Sequence, residues 1–63
     1  MIYLVEEPYS TYIAFLNFET VAIYVRNLGY KYEYDDNFLP SEITIWRKEK
    51  DIIRVIPIKL IGD

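Results

Sequence analysis

The sequence predicts a small two-layer domain of the α+β class, an antiparallel sheet of four or five strands with one helix, in the order β-β-α-β-β-β. Three observations carry that reading. An apolar stripe of helical period runs from Phe18 to Leu28, the period changes to 2 after Gly29, and paired β-type runs flank short polar turns near both ends of the chain. Residues 1–63 are expected to form a single domain.

Ile2 to Val5 is a short β-type run, and Glu6-Glu7-Pro8-Tyr9-Ser10 follows as a turn in which Pro8 fixes the backbone and lacks a ladder donor. Thr11 to Leu16, rich in β-branched and aromatic residues, reads as the returning arm of a hairpin. Asn17 suits a helix N-cap, because its side chain can accept from an unpaired donor of the first turn. Glu19 is an acid near the positive end of the helix dipole. Phe18, Val21, Ala22, Val25 and Leu28 draw one apolar stripe, so a helix is predicted over Phe18–Leu28. Gly29 falls where a left-handed residue ends a helix.

Beyond Gly29 the alternation puts Tyr30, Tyr32 and Tyr34 on one strand face, with Lys31, Glu33 and Asp35 on the other. Those three rings are expected to pack under the helix; a stacking platform for bases would call for a basic groove, and the adjoining charges are mostly acidic. Asp36-Asn37 with Pro40-Ser41 marks a loop. Glu42 to Arg47 is a strand with Ile43 and Ile45 on one face and Thr44 and Trp46 on the other. Lys48 to Asp51 is a polar turn, and Ile52 to Leu60 the returning strand. Pro57 is expected to set the second half of that strand at a sheet edge or a bulge.

Composition bounds the chemistry. The chain has no histidine and no cysteine but seven tyrosines, three phenylalanines and one tryptophan. A domain this small buries only about 60% of its unfolded surface, and neither a disulfide nor a Cys/His zinc site can reinforce it. A dense aromatic core and association with another chain remain, and a composition 52% hydrophobic and 17% aromatic supports both. Met1 to Val5 lacks a basic leader segment, and Ile52 to Ile61 is interrupted by Arg54, Pro57 and Lys59. The expectation is therefore a cytoplasmic chain with no membrane association. A net charge of −3 weighs against direct nucleic-acid binding.

No catalytic, cofactor-binding or metal-ligating residue is assigned, and no cofactor is expected. The densest acidic patch is Glu33, Asp35, Asp36 and Glu42. Paired carboxylates can serve glycoside hydrolysis or hold a hard cation, but a solvated strand face is the favoured reading because so small a domain can hardly enclose a substrate. Two glycines exclude a glycine-rich phosphate loop, and Ser10 and Ser41 read as turn residues. Arg47, Lys48, Lys50 and Arg54 form a basic group read as keeping a hairpin soluble.

Two features point to a partner. Ile23 lies opposite the apolar stripe of the helix, and the last strand is apolar on both faces. One helix covers one sheet face, so the expected interface is the uncovered face around Trp46, Ile53 and Val55, with Ile23 as an alternative and Tyr9 and Tyr12 as contact tyrosines. A homodimer with two-fold symmetry is expected.

Short, acidic, rich in tyrosine and isoleucine, and built from a hairpin, a helix and a sheet, the chain is similar in general look to small accessory proteins of phages and mobile elements. No motif carries that likeness and no residue is assigned from it. It implies a host-cell cytoplasmic setting for a viral chain. The function expected is a non-enzymatic protein-binding module, an inhibitor or regulator that binds another macromolecule. The alternative is an acidic mimic of nucleic acid built from Glu6, Glu7, Glu33, Asp35, Asp36 and Glu42, and a small carboxylate-dependent enzyme ranks third.

Overall fold

The computed structural model describes residues 1–36 and 42–61, Asp36 by its backbone alone. The loop expected around Asn37 to Ser41 lies outside the described residues. Among the described residues five strands and one α-helix follow in the expected order: β1 (Ile2–Glu7), β2 (Thr11–Phe15), α1 (Phe18–Asn27), β3 (Lys31–Asp36), β4 (Ile43–Lys48) and β5 (Asp51–Ile58). A single 3-10 turn, Pro8–Ser10, joins β1 to β2. All neighbours are antiparallel, in the spatial order β2-β1-β5-β4-β3.

That order dictates where the helix goes. β2 and β3 are opposite edges of the sheet, so the connection between them must cross about 19 Å at about 4.8 Å per strand. A helix of ten residues spans about 15 Å and supplies most of the crossing. α1 therefore lies over one face, and among the described residues no α-helix lies over the other, the bare face.

Both ends of α1 are set by local chemistry. Asn17 Oδ1 accepts from the Thr20 amide at 2.9 Å and from the Thr20 hydroxyl at 2.8 Å, which makes Asn17 the cap read from the sequence. At the other end the Gly29 amide donates to the Arg26 carbonyl at 2.9 Å and the Tyr30 amide to the Val25 carbonyl at 3.1 Å. This paired bonding ends a helix through a left-handed residue, and Gly29 has φ +96°. Lys48 Nζ donates to the Leu28 carbonyl at 2.9 Å, placing a cation at the negative end of the helix dipole.

The core lies between α1 and the sheet. Val21, Ala22 and Val25 of the helix pack with Val5, Tyr30, Trp46, Ile53 and Val55, and Tyr3, Phe15 and Tyr24 close the margin. Tyr3 meets Phe18 edge-on with centroids 5.7 Å apart, and Phe15 packs on Tyr24 at 5.2 Å. Trp46 Nε1 donates to Thr44 Oγ1 at 3.1 Å, so the largest core side chain leaves no buried donor unpaired.

Two expectations are corrected here. Trp46, Ile53 and Val55 are 2%, 0% and 1% exposed and form the floor of the core, not the uncovered face. The alternation read along β4 and β5 holds; the helix covers the face opposite to the one expected. Second, the three tyrosines after Gly29 do not share a face. Tyr30 precedes β3 and is buried in the core, while a shift of register between Tyr32 and Tyr34 sets Tyr32 opposite Trp46 and Tyr34 opposite Ile45, both rings half exposed. A bulge inserts one residue and so reverses the facing of every residue after it. The expectation for Pro57 holds for the second half of its strand, although β5 as a whole is central. β5 pairs with β1 through Ile58, Pro57 included, but its ladder with β4 ends at Val55. Among the described residues Pro57 therefore has a paired neighbour on one side only, where a missing donor is tolerated.

Candidate interaction surface

The register defines the bare face residue by residue. Leu4 stands opposite Ile56 on one side and Ala14 on the other, and Ile2 stands opposite Ile58. With Ile43 of β4 these residues form an apolar patch that runs to the β2 edge, continued by Leu16 just past the strand. Leu4 and Ile56 are half-buried, Ala14 and Leu16 are exposed, and Ile43 is buried outside the core cluster beneath the helix.

Toward the two hairpin turns the same face becomes mixed. Arg54 Nη1 reaches Glu6 Oε1 at 3.4 Å, and Arg47 Nε donates to both Glu33 carboxylate oxygens at 2.9 Å. Tyr12, Tyr34 and Ile52 stand exposed around these pairs. An apolar centre, aromatic rings and paired charges thus meet on one face. Ion pairs this exposed contribute little to stability, about 0–1 kcal/mol. Their effect is to neutralise these four charges, and Lys31, opposite Arg47, adds a further cation to that part of the face.

The residues named from sequence fall into three groups. Tyr9, Tyr12 and Ile23 stand exposed, as expected, at 93%, 54% and 60%. They do not adjoin one another: Tyr9 is at the tip of the first hairpin, Tyr12 is on β2, and Ile23 is on the helix. Trp46, Ile53 and Val55 belong to the core. Leu4, Ile56 and Ile2, which the structure puts at the centre of the bare face, were not among the expected interface residues. The period-2 pattern of β1 and β5 already set them apart from Val5 and Val55.

The acidic patch is divided rather than gathered. The bulge sends Glu33 to Arg47 on the bare face, whereas Asp35 stands opposite Thr44 and accepts from the Tyr32 hydroxyl at 2.6 Å on the helix face. That bond, with lesser contributions from burial and the Asp35 charge, raises the Tyr32 hydroxyl above its ordinary pKa. Glu42 is exposed, and the Asp36 side chain lies outside the described residues. Among the described residues no group of three or more acids stands close enough to hold a metal ion. The basic group is dispersed too, since Arg47, Lys48 and Arg54 each bond to a different partner.

A groove of about 650 Å³ opens beside the start of α1, floored by Tyr3, Phe18, Val55 and Pro57 with Asp35 and Glu42 on its lining. Asp35 and Glu42 bring two carboxylates to this groove, and among the described residues no hydroxyl nucleophile bonded to a base lines it. No described helix is long and apolar enough to cross a membrane.

Compared with known protein families, with curated proteins and with solved structures, the chain matches none.

Proposed function

We propose that the chain is a non-enzymatic protein-binding module whose contact surface is the bare face of its sheet, centred on Leu4 and Ile56. One observation carries this reading: a single helix covers one face, and the other bears an apolar patch of Ile2, Leu4, Ala14, Ile56 and Ile58 in adjoining register. Contiguous apolar surface on a small domain marks a place where another molecule sits. Such a module acts by occupying a surface of another macromolecule, as an inhibitor or regulator, and the missing cysteines suit a reducing cytoplasm.

The nucleic-acid-mimic reading is weaker. It needs an array of free acids on one side, and Glu6, Glu7, Glu33 and Asp35 each bond within the chain. The deciding experiment compares tagged wild-type chain with Ile56→Glu and Lys50→Glu in partner capture followed by mass spectrometry. A partner held by wild type and Lys50→Glu but lost by folded Ile56→Glu supports the bare face. Capture that is indifferent to Ile56→Glu and collapses as salt rises favours the acidic mimic instead.

A further inference from the structure

Where the two hairpins turn, the chain builds a second, smaller pocket. Glu7 closes β1, Pro8 and Tyr9 form the tip of the first hairpin, and Lys48 and Asp51 face each other where β4 turns into β5. Leu28 and Tyr30 come from either side of the glycine that ends α1. Together these residues line a pocket of about 240 Å³.

Tyr30 is the side chain that points to a ligand. Its ring belongs to the core, and the residue is only 8% exposed. Among the described residues its hydroxyl has no hydrogen-bond partner, yet no unpaired side-chain polar atom is sealed from solvent, so the hydroxyl opens into the pocket. Burial, then Asp51, Glu7 and Tyr9, raise its pKa, and those three residues line the same pocket. The charge there is negative. Glu7 gives one carboxylate oxygen to the Tyr24 hydroxyl, while Asp51 has no ion pair or side-chain hydrogen bond among the described residues. Lys48 is the cation of the lining, and its ammonium is turned to the Leu28 carbonyl at 2.9 Å. Two carboxylates against one ammonium leave one negative charge unmatched, beside the helix end whose dipole is already negative. Tyr9 completes the wall, its ring 93% exposed and its backbone strained at φ 68°. Strain of that kind gathers at ligand contacts, and an exposed ring face suits a cation.

We propose that this pocket takes the guanidinium of an arginine side chain presented by a partner protein. Guanidinium is favoured over ammonium by its donors and by its surface. Its planar fork carries five N–H donors, and the pocket offers acceptors on Asp51, on the second Glu7 oxygen and on the Tyr30 hydroxyl. It is weakly hydrated and stacks on aromatic rings, which suits the apolar walls of Pro8 and Leu28 and the free ring of Tyr9. Asp51 supplies the matching charge and Tyr30 a fixed hydroxyl held by the core. The pocket is no part of the bare face and does not rest on that reading.

The probe is acetyl-arginine amide, titrated into the isotope-labelled full chain and followed by two-dimensional NMR. Its uncharged isostere, acetyl-citrulline amide, is the control. The arginine probe is expected to move the Tyr30 and Asp51 amide signals saturably, with a dissociation constant of about 1–10 mM, ordinary for so small a ligand. The citrulline probe binds about tenfold more weakly, because it forms no charge-assisted bond. Asp51→Asn, at an exposed position, weakens the arginine probe about tenfold with an unchanged circular dichroism spectrum. Tyr30→Phe keeps the ring in the core, removes the hydroxyl alone and weakens the probe about threefold; it is the second variant should Asp51→Asn unfold. No saturable shift by about 50 mM, well above the range expected of a specific contact, overturns the proposal. So does equal binding of the citrulline probe, or indifference to both substitutions. Acetyl-lysine amide that binds as tightly overturns the choice of guanidinium, and free arginine that binds more tightly than the blocked form overturns a protein as its source.

Discussion

The Tyr24 hydroxyl donates to Glu7 Oε1 at 2.6 Å and ties the second half of the helix to the end of β1, residues 17 apart in sequence. The Glu7 bond is the first cause, ahead of burial and the Glu7 charge, that lifts the Tyr24 hydroxyl above its ordinary pKa. Tyr30 is lifted too, first by burial and then by Asp51, Glu7 and Tyr9. The folded chain therefore holds these protons more tightly than the unfolded one. The stability they contribute is complete below about pH 10, the ordinary tyrosine value, and is lost as pH rises through the folded values. Melting temperature is expected to fall above that pH, with a shallower fall in Tyr24→Phe. At neutral pH Tyr24→Phe loses about 1 kcal/mol, the worth of one such bond. A wild type and a Tyr24→Phe chain with identical alkaline melting curves would remove the Glu7 bond from the account.

Adjacent residues on β5 give opposite outcomes. Val55 is 1% exposed beneath the helix, and Ile56 is half-buried on the bare face opposite Leu4. Val55→Glu buries an unpaired charge, which costs several kcal/mol, while a domain this small rarely has more than about 3–5 kcal/mol to lose. Val55→Glu is expected to unfold the chain and Ile56→Glu to leave it folded with a loss of about 1 kcal/mol. Denaturant titration of the two variants decides whether the faces are assigned correctly.

Gly29 is fixed by its backbone more than by its space. A Cβ there would meet Lys48 Cε at 3.2 Å, and a lysine stem can move aside. The positive φ remains, and it costs a β-branched residue about 1–3 kcal/mol. Gly29→Val is expected to lose that much in chemical denaturation and Gly29→Asn clearly less, since asparagine tolerates left-handed backbone. Equal losses would mean that Lys48, through its bond to Leu28, sets the requirement.

Tyr9 and Ser10 both have positive φ, 68° and 62°, at the tip of the first hairpin. Neither is a glycine, and such a conformation costs an ordinary residue about 1–2 kcal/mol. Ser10→Gly is expected to raise stability by about 0.5–1 kcal/mol, less than the full strain because glycine also gains freedom in the unfolded chain. Tyr9→Gly should gain similarly, as its ring is almost wholly exposed. Should Tyr9→Gly also weaken partner capture, the strained tyrosine is a contact residue; a stabilised variant with full capture makes it only a turn residue.

The sequence by itself determined what depends on near neighbours. The N-cap Asn17, the stripe through Val21, Ala22 and Val25, the stop at Gly29 and the element order all follow from side chains within a few residues of one another, and all stand in the structure. The alternation along β4 was equally legible: Thr44 and Trp46 share one face and Ile43 and Ile45 the other. Tertiary structure alone decided which face the helix covers, because both faces of β5 are apolar and local pattern is symmetric between them. One unused signal lay in the Trp46–Thr44 pair, since a buried indole needs an acceptor and Thr44 supplies it at 3.1 Å. The bulge between Tyr32 and Tyr34 was likewise beyond the sequence, as it is set by how β3 fits against β4. That one inserted residue parts Tyr34 from Tyr32 and Asp35 from Glu33, and with them the tyrosine face and the acidic patch. Periodicity is a property of a segment, whereas facing and register belong to pairs of segments brought together by the fold.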